Sequence, residues 1–362
     1  MKILVISYKK PSEIVLKKLF LNNLTKKTKV TFVTYENYIS SGYTTNKLKK
    51  KFFNIKFYSV KNLVDLKLII DKFNPKFVIN YFIENFNQEF ENLYFFVKKF
   101  NIPIVKIIEH PFTWDLYLKR IKFKLSKKKY IYDHGILCSN FAEHSHRYHF
   151  YKNKHFFCNM NYISYYTNKK KILKDKKSNL FIDENFVNHP DVKIHKLKNF
   201  PSPKKYYSQL ISFFSFIKKK LNQKIDIAAH PTTLKKNFGD NPVIFNNTFK
   251  LVKKAKLIIL HQSSAIDYAI LAKKDLLFIT SNEINRLAEG MIINKIANFF
   301  NTKPLNLSKK YDVALINKRI ASFSKNKKLY KKFIKEFIKH PNFNKFHTID
   351  KIYSKISRYN KY

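Results

Sequence analysis

The chain is poor in glycine, arginine, cysteine and acidic residues, and each shortage closes off a class of protein. Only four glycines are present, Gly42, Gly135, Gly239 and Gly290. They are too far apart for a GxGxxG or P-loop pattern, which argues against a dinucleotide enzyme or a P-loop kinase. Two cysteines, Cys138 and Cys158, cannot build a disulfide framework and suit a reducing compartment. No uninterrupted apolar run reaches about 18 residues, so no transmembrane helix is expected. The opening MKILVISYKK holds too short an apolar run for a signal peptide, and no cleavage site follows it. Against 24 Asp and Glu stand 72 Lys and Arg, a formal net charge of +48.

Such a charge resembles a nucleic-acid footprint, yet only five of the basic residues are Arg. Arg is the residue suited to bidentate contacts with phosphates and bases. Lys, Asn, Ile, Phe and Tyr are enriched together, the pattern of an AT-rich coding bias, with Lys serving as general solvated surface. A non-enzymatic polyanion or RNA binder would cluster its cations with exposed aromatics. Here lysines run through nearly every segment, so no specific nucleic acid is expected. The surface should still be drawn to anionic membranes in a salt-dependent way. Lys119–Lys129, with Ile121, Phe123 and Leu125 among lysines, reads as a solvated helix or loop, or as membrane-surface contact.

What the chain does have is alternation of strands and helices. Strands are expected at Lys2–Ser7, Val30–Thr34, Ile55–Val60, Lys76–Asn80, Pro103–Ile108 and Ile131–Ser139. Helices fall between them at Ser12–Leu24, Asn62–Phe73 and Glu89–Phe100. After a charged linker, Asn168–Lys177, the alternation resumes. Leu180–Asp183, Lys224–Ala229 and Val243–Phe245 read as strands, and Ser202–Leu221 as a long helix opened by Ser202 and Pro203. Past Leu315 the pattern is helical and lysine-rich, broken at His340-Pro341. The fold class is α/β: two facing Rossmann-like domains with a cleft between them, residues 1–167 and 178–325, and a helical tail, 326–362, packing back on them.

The second half centres on Lys256–Asn282. Lys256–Leu260 and Asp275–Thr280 are apolar runs, and Ser264–Ala272 between them is apolar nearly all round. This is a βαβ unit with parallel strands. Ser263 and Ser264 fall where strand gives way to helix, a point suited to a phosphate, and one of them can cap the helix. Three predicted strand ends are polar: Asp183-Glu184-Asn185 running to Asn188-His189-Pro190-Asp191, His230-Pro231-Thr232-Thr233, and His261-Gln262-Ser263-Ser264. Parallel neighbours would gather them at one rim, where open α/β sheets bind ligands. An imidazole and two hydroxyls near a phosphate stabilise it as it leaves, and a carboxylate takes the proton of an attacking hydroxyl. Together they describe inverting transfer of a sugar from a nucleotide donor to an alcohol.

On these residues the chain resembles the bacterial glycosyltransferases of GT-B architecture that use CMP-activated nonulosonic acids, the sialyltransferase and polysialyltransferase group. Those share an acidic pair, a His-Pro motif and a Ser-Ser or Ser-Thr motif in that order. Asp183-Glu184, His230-Pro231 and Ser263-Ser264 match across roughly residues 179–282, although the glycine that follows the family's acidic pair is Asn185 here. Four histidines precede proline, His110, His189, His230 and His340, but only His230 follows a clear buried strand and lies shortly before a serine pair.

The resemblance implies a metal-independent enzyme with no cofactor beyond its CMP-sugar donor. Asp183 or Glu184 would be the base. His230 would contact the phosphate, with Pro231, Thr232, Gln262, Ser263 and Ser264 around it. Glu109-His110, at a first-domain strand end, and His189 compete as base or acceptor contact. Asp133-His134 is a weaker pair, and Asp267 suits ribose or a buried partner. The acceptor would be a surface glycan or glycolipid, and the location cytoplasmic, peripheral on the inner face of the cytoplasmic membrane. A CDP-polyol phosphotransferase, or a UDP- or GDP-sugar transferase of the same fold, is the alternative.

Overall fold

The computed structural model describes residues 1–7, 11, 13–21, 24, 28–35, 54–81, 88–108, 130–139, 149–167, 178–188, 200–230, 233, 237–245, 247–324, 327–344 and 348–358. The expected linker Asn168–Lys177 and the basic segment Lys119–Lys129 lie outside these residues. Long apolar runs become strands buried on both faces, as parallel sheets require. The first half gives β1 (Lys2–Ser7), α1 (Glu13–Lys18), β2 (Lys29–Tyr35), β3 (Ile55–Val60), α2 (Leu63–Phe73) and β4 (Phe77–Tyr81). Then come α3 (Gln88–Lys98), β5 (Ile104–Ile108), β6 (Tyr130–Leu137), β7 (His149–Phe156) and α4 (Met160–Thr167).

The second half gives β8 (Asn179–Ile182), α5 (Pro203–Leu221), β9 (Ile225–Ala228), β10 (Asn237–Phe238), β11 (Asn241–Ile244), α6 (Thr248–Lys254) and β12 (Leu257–Leu260). It continues with α7 (Ile266–Leu271), β13 (Asp275–Thr280), α8 (Asn282–Asn285), α9 (Ala288–Phe299), β14 (Leu305–Asn306), α10 (Val313–Ser324) and α11 (Lys327–Phe333). A π-helical turn at Ile334–Ile338 precedes the last helix, α12 (Ile349–Arg358).

The chain forms two compact units. The first takes the described residues of 1–111, 125–160 and 339–362, the second those of 161–338. In the first, a seven-stranded sheet runs β3-β2-β1-β4-β5-β6-β7 with every neighbouring pair parallel. One side of its core joins Leu4, Ile6, Val33 and Val78 of the strands to Leu66 and Ile70 of α2 and Leu93, Tyr94 and Val97 of α3. Helix α12 contributes buried Ile352, Tyr353 and Ile356 to this unit. Its Tyr353 hydroxyl donates to the Leu19 carbonyl at 2.8 Å.

In the second unit a seven-stranded sheet runs β10-β11-β9-β8-β12-β13-β14. It is parallel throughout except for the β10–β11 pair. Helix α5 starts as its sequence demands, with Ser202 accepting from the Lys205 N–H and proline in the first turn. It buries Tyr206, Leu210, Phe213, Phe214 and Ile217, with the Phe214 ring 5.2 Å from that of Phe181 in β8. Two parallel-sheet α/β units in succession make the fold GT-B.

Candidate functional site

Strand order creates the site. From β8 the chain steps outward to β9, then returns to the other side of β8 with β12. The reversal lies between β8 and β12, and open parallel sheets take their ligands at the carboxyl ends of strands flanking such a reversal. The order β9-β8-β12 sets the three polar strand ends side by side: Asp183-Glu184-Asn185, Ala229-His230 and His261 to Ser264.

Asp183 is 2% exposed. Its carboxylate accepts the Thr233 hydroxyl at 2.5 Å and the Asn185 N–H at 2.9 Å. The backbone N–H groups of His230 and Glu184 point to it as well. Burial pushes its carboxyl up, and these donors pull against that. Asp183 therefore fastens the end of β8 to the loop after β9. Glu184 is placed differently. Its carboxyl takes backbone N–H groups of His261 and Gln262, while burial and the neighbouring Asp183 charge push it well above the usual range. Its Oε1 is sealed from solvent with no hydrogen-bond partner among the described residues, and so is Gln262 Oε1.

His261 is a satisfied core histidine. At 1% exposure it donates Nδ1–H to the Ile279 carbonyl at 2.8 Å, which leaves Nε2 to accept the Tyr206 hydroxyl at 3.1 Å. Burial holds its pKa down at about 4, so the ring is neutral. Tyr206, buried against it, has its phenol pushed up and stays protonated.

The serine pair sits in a turn. Helix α7 begins only at Ile266, with Ala265 as an N-cap that offers no side-chain bond. Neither serine caps the helix as the sequence suggests, because five residues, His261 to Ala265, turn between strand and helix. Ser263 Oγ instead accepts the Ala265 N–H at 3.3 Å. Asn161 of α4 braces this turn, donating to the Ser264 carbonyl at 2.8 Å and to Asp267 Oδ2 at 3.1 Å. Asp267, fully buried, thus meets the buried partner foreseen as one of its two roles.

His230 is half-buried, and its carbonyl accepts the Thr233 N–H at 2.9 Å. Pro231, Thr232, His189, Glu109 and His110 lie outside the described residues. Asp133 sits in the first unit, bound to Lys98 at 2.8 Å and Lys152 at 3.0 Å. Thr233 belongs to the polar stretch after β9 that the sequence exposes, but its role as partner of Asp183 does not show there, and nothing in the sequence singles out Asn161. Among the described residues no three of His, Cys, Asp and Glu come together as a metal site would need.

No protein-family model matches the sequence, and no curated protein is similar to it at the sequence level. Solved structures are similar along nearly the whole chain. UDP-GlcNAc 2-epimerase from Neisseria meningitidis, bound to UDP-GlcNAc, is 13% identical at TM-score 0.50, covering 99% of this chain and 100% of its own. Arabidopsis thaliana UGT89C1 complexed with UDP is 8% identical at TM-score 0.54, covering 98% and 99%. Phytolacca americana UGT2, complexed with UDP-2fluoro-glucose and pterostilbene, is 8% identical at TM-score 0.56, again covering 98% and 99%. At these identities the likeness establishes the architecture, GT-B.

Proposed function

We propose that the protein is a glycosyltransferase that binds a nucleotide-sugar donor at the β8–β12 strand ends and passes the sugar to a hydroxyl of a glycan or glycolipid acceptor. The observation that carries this reading is the polar rim at the reversal point of a sheet in a GT-B chain. The UDP or UDP-sugar named with the similar structures favours a UDP-sugar donor. In this reading Ser263, Ser264 and His230, with Pro231, Thr232 and Gln262 beside them, surround the leaving phosphate and stabilise its growing charge. Asp183, Glu184 or Glu109 takes the acceptor proton, with His110 and His189 as acceptor contacts. A single displacement inverts the anomeric centre.

A CMP-sugar donor is the second reading, favoured by one observation. Asn185, where the CMP-nonulosonate group has glycine, has φ 50°, the left-handed region that glycine prefers. Attachment to the inner face of the cytoplasmic membrane through lysine-rich surface is part of the proposal, supported by the +48 net charge. Among the described residues no helix is long and apolar enough to cross a membrane.

The test is thermal melting of the purified protein with UDP, CMP, CDP and GDP, followed by product analysis. A ligand at about 100 times its dissociation constant adds about 2.7 kcal/mol, a visible shift. A shift with UDP that shrinks in His230→Ala is expected, and a glycoside product separates transfer from epimerisation or polyol-phosphate transfer. A CMP-only shift moves the protein to the second reading. No shift with any nucleotide sinks both.

A further inference from the structure

Two buried acceptors at the β8–β12 strand ends have no donor among the described residues. Glu184 Oε1 and Gln262 Oε1 are both sealed from solvent and both lack a hydrogen-bond partner among the described residues. Their residues adjoin at this rim, because the Glu184 carboxyl is fastened to the backbone N–H of Gln262 and of His261. Buried polar atoms in native proteins are nearly always paired, so two orphans of the same kind at a ligand-binding edge call for a reason.

The kind matters. A phosphate brings only acceptors, and lone pairs facing lone pairs repel. What satisfies a carboxylate oxygen and an amide oxygen is a pair of donors on one ligand. Asp183 cannot do this work, since Thr233 and the backbone N–H groups of Glu184, Asn185 and His230 already occupy it.

We propose that Glu184 and Gln262 form a hydroxyl-reading subsite that takes two adjacent hydroxyls of the nucleotide-sugar, either on its ribose or on its sugar ring. This rests on the glycosyltransferase reading above and gives Gln262 a hydroxyl rather than a phosphate to hold. Bound hydroxyls would add donors that pull the Glu184 carboxyl down against the burial and the Asp183 charge that push it up.

The experiment is calorimetric titration at pH 8 with UDP, 2′,3′-dideoxy-UDP, UDP-glucose and UDP-2-deoxyglucose, or the same four on whichever nucleotide binds. Wild type, Glu184→Gln and Gln262→Ala are compared. In wild type the hydroxylated member of one pair is expected to bind about tenfold tighter, the worth of a hydrogen bond to a charged group. That ratio should fall toward one in both variants. A ratio in the UDP pair assigns the ribose, and a ratio in the UDP-sugar pair alone assigns the sugar ring. Equal affinities within both pairs overturn the subsite while leaving nucleotide binding, and so the function, in place. Melting of ligand-free Glu184→Gln gives a readout that needs no nucleotide. At or above the wild-type temperature it supports a Glu184 Oε1 that holds no structural donor. A drop of about 5 °C or more marks a structural carboxylate and overturns the subsite even if no nucleotide binds.

Discussion

Among the described residues seven non-glycine positions have positive φ, and five of them are asparagines: Asn74, Asn101, Asn185, Asn222 and Asn301. Asn tolerates the left-handed region better than other side chains because its short amide bonds locally. Asn74 and Asn222 close α2 and α5 in this way, where glycine is the usual choice. With four glycines in the chain, Asn185 behind the acidic pair follows the same habit. Asn185→Gly is therefore expected to hold stability within about 0.5 kcal/mol, while Asn185→Val costs about 1–3 kcal/mol, read from urea midpoints. Equal midpoints would mean that nothing requires the left-handed backbone there.

Titration at single residues pulls in two directions. His155, buried beside His134 with the ring nitrogens 3.1 Å apart, is held down at about 4 by burial, then by His134 and Lys355. The unfolded chain therefore protonates it first, and its contribution is present above about pH 6.5 and lost as pH falls toward 4. Glu184 is the reverse. With its folded pKa raised, its contribution is present below the ordinary Glu value near 4.5 and lost as pH rises through the folded one. His155→Gln should accordingly lose less stability than wild type between pH 6.5 and 4. Glu184→Gln should gain on wild type as pH climbs above about 4.5. Parallel pH profiles for wild type and either variant would contradict that assignment.

At the scale of elements, helix α9 sets propensity against contact. A Cβ on Gly290 would stand 2.3 Å from the Ile284 carbonyl and 2.6 Å from the Asn285 Cα, both backbone atoms. Alanine gains about 1 kcal/mol over glycine inside a helix, but α8 cannot withdraw by changing a rotamer. Contact wins, and Gly290→Ala is expected to lower stability by about 2 kcal/mol or more in chemical denaturation. A stabilised variant would mean that α8 packs less closely on α9.

Elements were legible where both faces are buried. β1 and β13 follow the apolar runs residue for residue. β7, HFYKNKHF, goes unread because its lysines and asparagine leave no apolar run, with exposed Lys152 and Lys154 alternating with less exposed neighbours. The site shows the same division. Strand-end order exposes Asp183, Glu184, His230 and the serine pair. The pairings of Thr233 with Asp183 and of Asn161 with Asp267 are silent because the partners lie 50 and 106 residues apart in the chain. No local pattern encodes such a pairing.

Over the whole molecule, charge balance decides how salt acts. Basic residues outnumber acidic ones 72 to 24, so most cations have no carboxylate to meet. Ion pairs do form, such as Lys17–Glu13 at 2.8 Å and Lys218–Asp240 at 3.4 Å, but exposed pairs of this kind are worth about 0–1 kcal/mol each. Salt weakens these pairs and weakens the repulsion among the surplus cations. The repulsion involves far more charges and favours the expanded chain. Screening it should win, and the melting temperature is expected to rise between about 20 and 300 mM sodium chloride, as the Debye length falls from about 20 to about 6 Å. A steady fall over that range would show that paired carboxylates, though outnumbered, carry more of the stability than the excess lysines remove.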